Sequence, residues 1–348
     1  MLIRMVTLAP KLKTLQAKPE LFSVVSLFAG GGGSSTGYRM AGGKSYIASE
    51  FIDAAADTYE ANWPNTKVDR RDIRDVKASE FDIGQELDLL DGSPPCSGFS
   101  ASGNRETGWG KRAKYSDRAQ ESVEELFFEY IRVLAHLKPR AFVAENVQGL
   151  IRGPSKGYFK QIKAEMEKCG YIVQAALCNS KDFGVPQSRP RVIFVGIRAD
   201  LHHEGLSYYP KKKRPVVSVR EGIKGVVLSA EDTEATNIEK YAIYPHLVRI
   251  KHGEQSAKYF NLVKAHPDYP CPTITATSAN GGAASVKHWD NRSFAVPELK
   301  RIFSLPDDYI LKGDYIRRIE RIGRMVPALM SKGISRNLYE QGIFRNTQ

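Results

Sequence analysis

Between Phe22 and Ile197, short apolar runs alternate with longer stretches in which apolar residues recur at helical spacing. This alternation is typical of a mostly parallel sheet with helices on both faces, because parallel strands need helix-length crossovers. The apolar runs predict strands over 22–28, 45–48, 87–90, 141–144, 171–177 and 192–197. Helical spacing predicts helices over 123–137 and 158–166. We therefore expect a doubly wound α/β fold of the Rossmann-like type.

The pattern changes after Arg198. Residues 199–297 lose the strand–helix alternation and contain isolated β-type stretches at 216–219 and 272–276. Helical spacing resumes near Val296 and predicts helices over 299–303, 316–322 and 326–334. We expect a large domain over 22–198, preceded by an N-terminal extension over 1–21 and followed by a smaller module over 199–297.

Charge and cysteine content narrow the class of protein. A net charge of +12 favours a polyanionic partner such as nucleic acid, although a basic balance alone is often a solvated surface. The four cysteines form no Cys-x-x-Cys pair, which argues against a disulfide framework and a structural zinc site. No apolar run approaches the roughly 20 residues that span a bilayer. A soluble, cytoplasmic protein with reduced thiols and no metal site is expected.

Cys96 follows the predicted strand 87–90, which is expected to break into a turn over residues 91–95 that ends in two consecutive prolines. A loop of small residues comes after Cys96. Because proline fixes φ and biases the preceding residue toward extended geometry, this thiol lies on a stiff turn at a strand end. Most free cysteines are small apolar fillers of a core. The strand-end position favours an exposed, reactive thiol instead.

A glycine-rich loop, residues 29–37, follows the first strand and opens a helix. Glycines allow backbone to approach a ligand closely, and an acid about 20 residues further on can accept hydrogen bonds from ribose hydroxyls. Glu50 has that spacing, and Asp72, at the expected end of a third strand, could accept from an adenine amino group. The dinucleotide spacing G-x-G-x-x-G fails because Ser35 takes the third place. A nucleoside-type cofactor is favoured over a dinucleotide or a purely structural turn.

Three sets of residues should converge at the carboxyl ends of the strands, where open α/β sheets bind ligands. They are Cys96, Glu145 and the arginines of residues 187–191. A thiolate, a carboxyl group and a guanidinium in one pocket suit covalent attack on a planar, electron-poor ring. Taken singly, the carboxylate could equally be a helix cap and the arginines a surface ion pair.

With these residues in this order, the chain resembles the cytosine-C5 DNA methyltransferases. The family's motifs occur in order as LFAGGGG (27–33), PPCSGFS (94–100), ENV (145–147), QSRPR (187–191), PELKR (297–301), LPDDY (305–309) and IGRMVP (322–327). Each motif alone is weak evidence for the family, whereas the whole set in this order is specific to it. The resemblance implies S-adenosylmethionine as cofactor, with a target recognition domain over 199–297 and a segment over 298–348 that returns to the catalytic domain.

The resemblance also implies roles for individual residues. Cys96 would attack ring carbon 6 of cytosine, Glu145 would stabilise the protonated ring nitrogen 3, Arg191 would contact the ring oxygen, and Arg189 would help to order the site. The cofactor would be surrounded by Phe28, Gly30, Gly32, Gly33, Glu50, Phe51, Asp72, Ile73, Pro95, Leu126, Arg324 and Met325.

Double-stranded DNA is the implied partner, with the target cytosine flipped out of the duplex and the basic loop after Cys96 closing over it. The expected DNA contacts are Ser100, Ser102, Arg105, Lys111, Arg112, Thr273, Gly281 and Gly282. A monomeric enzyme of a prokaryotic cytoplasm is expected, in a restriction-modification, prophage or solitary role, with a cognate restriction endonuclease as a possible partner. A tRNA-methylating relative is the alternative, since it shares the catalytic motifs.

Other classes fit less well. A non-catalytic DNA-binding homologue would have lost Cys96, Glu145 or Arg191, and an oxidoreductase would not carry the ordered motifs. Three departures from the family pattern stand out: Ser26 replaces an acid before the glycine loop, Ser97 a glutamine, and Arg324 an asparagine.

Overall fold

The computed structural model describes residues 9–95, 113–114, 119–120, 125–152 and 155–345. Along this part of the chain the helices and strands are α1 Leu12–Gln16, β1 Phe22–Leu27, α2 Gly33–Ala41, β2 Gly43–Ser49, α3 Asp53–Asn62, β3 Lys67–Asp69, β4 Leu89–Gly92, β5 Ala113–Lys114, β6 Ala119–Gln120, α4 Leu126–Leu137, β7 Ala141–Val147, α5 Lys156–Lys168, β8 Tyr171–Asn179, β9 Pro190–Arg198, α6 Val219–Ile223, α7 Ala230–Thr236, α8 Tyr244–Arg249, β10 Val263–Lys264, β11 Val286–Lys287, α9 Val296–Ile302, α10 Tyr315–Arg324 and α11 Ala328–Glu340.

The main sheet has seven strands in the order β3-β2-β1-β4-β7-β9-β8. The pairs from β3 to β7 are parallel, and β9 pairs antiparallel with both β7 and β8. β5 and β6 form a second sheet of two strands, and β10 and β11 form a third. The predicted doubly wound, mostly parallel fold is confirmed.

Side chains of β1 alternate between the two faces of the sheet. Val25 and Leu27 pack in a hydrophobic cluster with α4 and α5, whereas Phe22 and Val24 pack with α2 and α11. Because successive residues of a strand point to opposite faces, Ser26 lies on the α2 side. The central strands are covered on both faces, as parallel sheets require.

The C-terminal helix α11 completes one of these layers by packing on α2. The approach is so close that a Cβ atom on Gly37 would lie 2.1 Å from the carbonyl oxygen of Ala328. At the other end of the chain, α1 also packs on the large sheet domain: Leu15 is buried, and the backbone N–H of Leu12 donates to the Asp308 carboxylate at 2.9 Å.

The end of β4 differs from the prediction. The ladder begins at Leu89, not Leu87, and continues through Asp91 and Gly92, which were expected to lie in the turn. Asp91 pairs in register with Ser26 of β1 on one side and Val143 of β7 on the other. A strand with neighbours on both sides continues for as long as both can pair with it, so the acidic and glycine residues do not end it.

The β-type stretches at 216–219 and 272–276 are not strands. Ser218 caps α6 instead: its hydroxyl accepts from the N–H of Glu221, whose carboxylate accepts from Ser218 in return. The second stretch donates the Ile274 N–H to Oε1 of Gln187 rather than to a neighbouring strand. Local capping and a side-chain acceptor therefore override the β propensity of these residues. None of the described helices is long and apolar enough to cross a membrane.

Candidate active site

The glycine loop leaves β1 through backbone that has positive φ. Phe28 has φ 53°, Gly30 58° and Gly32 86°. Since non-glycine residues rarely adopt this region, the conformation at Phe28 is strained and must be held by its surroundings. The bend leads the chain from the end of β1 into α2, the helix that the loop was predicted to open.

Glu50 follows β2 directly and closes on the glycine loop. Its Oε2 accepts from the N–H of Gly30 at 2.7 Å and its Oε1 from the N–H of Ile52 at 2.8 Å. Burial raises the pKa of this carboxyl above its ordinary value, and the two backbone donors oppose the shift. Each carboxylate oxygen keeps a second lone pair, so the group can still accept from a ribose hydroxyl.

The glycines of the loop face different surroundings. A Cβ on Gly30 would meet no atom within 4 Å, whereas one on Gly32 would lie 2.7 Å from the Tyr309 hydroxyl and one on Gly33 2.5 Å from the Val326 carbonyl. Gly30 thus borders open space, and Gly32 and Gly33 allow the loop to pack on the returning C-terminal segment. Sequence reasoning assigned no role to Tyr309, whose hydroxyl donates to the Gly31 carbonyl at 2.6 Å.

Asp72 lies three residues beyond β3 and caps a short 3₁₀ turn. Its Oδ1 accepts from the backbone N–H of Arg74 at 3.1 Å, and its Oδ2 from Nη2 of the same residue at 2.7 Å. Asp72, which was predicted to accept from an adenine amino group, is therefore paired with Arg74 in this structure.

The other predicted cofactor contacts lie around the same end of the sheet. Ile73 and Leu126 are buried in the cluster that α4 forms with the sheet, and Phe51 and Pro95 are half-buried. Met325 is also buried, and a Cβ on Gly31 would lie 2.3 Å from its Cε. Arg324 is exposed, and its Nη2 donates to Oε1 of Glu320 at 3.0 Å.

Glu145 and Arg191 form an ion pair on neighbouring strands β7 and β9. Nε of Arg191 lies 2.8 Å from Oε1 of Glu145, and the two side chains are 13% and 14% exposed. Nη1 of Arg191 donates to the carbonyl of Pro190 at 2.8 Å, which orients the guanidinium. The structure thus brings together two of the three predicted catalytic groups.

Asn146 connects this pair to the turn that precedes Cys96. Its buried Nδ2 donates to the carbonyl of Pro94 at 3.2 Å, and its Oδ1 accepts from the N–H of Val147 at 2.8 Å. Sequence reasoning gave Asn146 no role, although it stands next to Glu145 in the ENV motif. Cys96 itself lies outside the described residues, as do the predicted DNA contacts Ser100, Ser102, Arg105, Lys111 and Arg112.

Arg189 is buried, and its guanidinium joins three segments of the chain. Nη1 donates to the carbonyl of Ile274 at 2.7 Å and Nη2 to that of Gly323 at 3.1 Å. The group also lies over the ring of Phe303, 5.4 Å from its centroid. Desolvation lowers the pKa of Arg189 well below its ordinary value. This geometry links β9 to the region beyond 270 and to α10.

The predicted DNA contacts beyond residue 199 pack against other parts of the protein. Thr273 donates its hydroxyl to the carbonyl of Ser188 at 2.9 Å. Cβ atoms on Gly281 and Gly282 would lie 3.1 and 2.9 Å from the ring of Tyr241. The ammonium group of Lys287, a fully buried residue, donates to the carbonyl of Gly281 at 3.1 Å and so holds this glycine turn in place.

Known proteins share both the sequence pattern and the fold. The family model described as C-5 cytosine-specific DNA methylase matches residues 22–340. The type II methyltransferase M.SacI of Streptomyces achromogenes is 31% identical over 376 residues, covering 91% of this chain and 93% of the relative. M.DdeI of Desulfomicrobium norvegicum is 28% identical over 380 residues, covering 91% and 88%.

Two solved structures have the same architecture. A candidate DNA modification methyltransferase encoded within an E. coli prophage superposes with a TM-score of 0.70 at 20% identity, covering 92% of this chain and 99% of the other. The S. pombe Dnmt2 methyltransferase superposes with a TM-score of 0.62 at 19% identity, covering 92% and 99%. With a family match over nearly its whole length, the chain belongs to the C-5 cytosine-specific DNA methylases, which methylate ring carbon 5 of cytosine in DNA.

Proposed function

We propose that the chain transfers a methyl group from S-adenosylmethionine to a flipped-out cytosine in duplex DNA, through a transient covalent bond to Cys96. The observation that carries this proposal is the Glu145–Arg191 ion pair, with its 2.8 Å separation and its connection through Asn146 to the turn before Cys96. A carboxyl group and a guanidinium held beside the nucleophile's turn match what an electron-poor pyrimidine ring requires.

Each of these residues has its own role in the reaction. The Cys96 thiolate forms a bond to ring carbon 6, and the electron pair of the 5,6 double bond makes ring carbon 5 nucleophilic. Glu145 protonates or hydrogen-bonds ring nitrogen 3, and Arg191 donates to the ring oxygen. After ring carbon 5 has gained the methyl group, its proton leaves to a base, the carbon–sulfur bond breaks, and the thiolate is regenerated. Arg189 acts from outside the ring by keeping β9 in place.

The residues at the ends of β1 and β2 fit an adenosine-type cofactor. Glu50 is buried against the glycine loop with lone pairs left for ribose hydroxyls, and Gly30 borders open space. When bound, S-adenosylmethionine supplies the methyl group. Phe28, Asp72 and Met325 lie at the same end of the sheet and would complete the cofactor contacts with the other predicted residues.

Residues 199–297 would read the DNA sequence, and the segment over 298–348 would complete the catalytic domain. The matched relatives are named type II methyltransferases, which favours a modification role beside a cognate restriction endonuclease. We infer a monomer in the prokaryotic cytoplasm.

The test compares the wild type with Cys96→Ser and with Cys169→Ser as matched control. Cys169 donates its thiol to the Glu165 carbonyl at the end of α5, a bond that serine can keep. Purified proteins are given tritiated S-adenosylmethionine with unmethylated genomic DNA or with tRNA, and bisulfite sequencing locates the product.

Wild type and Cys169→Ser should label DNA, and Cys96→Ser should bind DNA without labelling it. Full activity of Cys96→Ser would refute the covalent mechanism. Labelling of tRNA in preference to DNA would refute the choice of substrate.

A further inference from the structure

A buried carboxylate outside the predicted catalytic groups lies between the glycine loop and the turn that leads to Cys96. Asp91 is 3% exposed. Its Oδ2 accepts from the hydroxyls of Ser26 at 2.7 Å and Ser34 at 2.8 Å, and its Oδ1 accepts from the hydroxyl of Tyr38 at 2.7 Å. Among the described residues, its donors are thus three neutral hydroxyls.

These donors lie in β1 and α2, the two elements that flank the glycine loop. Ser26 lies in β1, two residues before Phe28, and is the register partner of Asp91. Ser34 and Tyr38 lie in α2, the helix that the glycine loop opens. Asp91 lies in β4, the strand that runs into the Pro94–Pro95–Cys96 turn. One carboxylate therefore ties the cofactor side of the proposed site to the strand that carries the nucleophile.

A carboxylate is an unfavourable choice for stability alone at this place. Burial raises the pKa of the Asp91 carboxyl, the charge of Glu145 adds to the shift, and the hydroxyl donors oppose it. An apolar side chain in a buried strand would avoid this desolvation, as Leu89 and Leu90 do in the same strand. The three hydrogen bonds of Asp91 to β1 and α2 point to a requirement for fixed geometry.

The position also fits the departure at Ser26. The resemblance to the family implies that many members carry an acid where this chain has Ser26. Here the hydroxyl takes that place, and an acid stands on the neighbouring strand, in register with it. Parallel register partners project to the same face of the sheet, so a carboxylate at either position reaches the same space below α2.

We propose that Asp91 is a positioning residue for methyl transfer, which fixes the glycine loop and α2 relative to the strand that carries Cys96. This inference rests on the proposed roles of Cys96 and the glycine loop. It assigns Asp91 no contact with DNA, so the residue acts on turnover rather than on DNA affinity.

The test uses three variants of the full chain: Asp91→Asn, Asp91→Ser, and the exchange Ser26→Asp with Asp91→Ser. In Asp91→Asn the side chain keeps its shape, and its amide oxygen can still accept from the Tyr38 hydroxyl. Its amide NH₂ would face Ser26 and Ser34, whose hydroxyls can rotate to accept from it. Each variant's kcat and KM are measured with unmethylated genomic DNA. Active sites are counted by trapping on DNA made with 5-fluorocytosine, because fluorine cannot leave as the ring proton does and the sulfur–carbon bond persists.

Per active site, Asp91→Asn and Asp91→Ser should lower kcat at least tenfold with the KM for DNA within twofold of wild type. The exchange variant should recover kcat to within threefold. If kcat per trappable active site is the same in Asp91→Asn as in the wild type, or if the exchange recovers nothing, Asp91 is only a structural residue and the inference is wrong.

Cys96→Ser in the same assay separates this result from the proposed function. An active Cys96→Ser overturns the covalent mechanism, whatever Asp91 does. An inactive Cys96→Ser together with wild-type turnover in Asp91→Asn overturns the role of Asp91 alone.

Discussion

Arg191 Nε lies 2.8 Å from Glu145 Oε1, on two antiparallel strands whose register also pairs Val147 with Arg191. Because the pair is mostly buried and the strands fix both backbones, Arg191 is oriented without help from a substrate. The guanidinium keeps further N–H groups for a ring oxygen while Nε holds the carboxyl. Order in the site is therefore provided by the sheet.

Glu145→Gln should lower kcat by about 10²- to 10⁴-fold, the usual contribution of a positioned acid. The amide keeps the shape and one acceptor for Arg191 but cannot give a proton to ring nitrogen 3. The KM for S-adenosylmethionine should stay within twofold, as should all parameters of Glu167→Gln, a control on α5. Steady-state kinetics decide, and an unchanged kcat would remove Glu145 from the mechanism.

Arg189→Lys should destabilise the fold by about 2–4 kcal/mol, because a single ammonium cannot reach both carbonyls and leaves a buried acceptor unpaired. Urea unfolding at neutral pH measures the difference. The control is Arg220→Lys: Arg220 pairs with Asp268 at the surface, and its replacement should change stability by less than about 1 kcal/mol. Equal effects of the two changes would contradict the bridging role of Arg189.

Gly323→Ala should destabilise by about 1–3 kcal/mol even though alanine is the better helix former. A Cβ there would lie 2.5 Å from the carbonyl carbon of Thr275 and 2.6 Å from its oxygen, and neither backbone can move freely. Gly157→Ala is the matched control, since Gly157 lies in α5 with no atom within 4 Å of such a Cβ. It should be neutral or stabilising. Thermal unfolding of both variants tests this contrast.

Lys287 should make stability depend on pH. Burial lowers the pKa of its ammonium group from 10.5 to about 8. Below pH 8 the group is charged in both states and folding carries the full desolvation penalty. Between pH 8 and 10.5 only the unfolded chain stays protonated, so the penalty fades as pH rises. Relative to Lys287→Met, wild type should gain at most about 3 kcal/mol from pH 7 to pH 10 in urea unfolding. A constant difference would contradict the burial of the charge.

The sequence predicted candidate site residues where they lie next to strands, because strands and helices leave a periodic pattern of apolar residues. Apolar runs predicted the strands, Glu50 and Glu145 were singled out because they stand at strand ends, and Arg191 because it directly precedes a strand. Since β9 runs antiparallel to β7, the start of β9 lies beside the end of β7. The contacts that hold these groups have no such signature. Arg189 reaches Gly323 across 134 positions, and Asn146 reaches Pro94 across 52. A long-range hydrogen bond leaves no local pattern, because its partners are brought together only by the packing of whole elements.

Asp91 is one residue whose environment the sequence did not predict. An acid and a glycine before two prolines indicate a turn when only neighbours in sequence are considered. In the fold, pairing on both sides extends β4 through them, and three hydroxyls from two other segments surround the carboxylate. Its burial depends on those segments, which sequence neighbours do not reveal.

The packing of α11 on α2 sets the order in which the protein can mature during synthesis. The glycine loop emerges from the ribosome early, but Tyr309, which holds its Gly31 carbonyl, follows 278 positions later, and α11 later still. Until then α2 alone covers the apolar face of β1 that it later shares with α11, and the surface that α11 buries is open to chaperones or to aggregation. A nascent chain therefore cannot complete the contacts of the glycine loop, where we propose that the cofactor binds, until Tyr309 and α11 have left the ribosome.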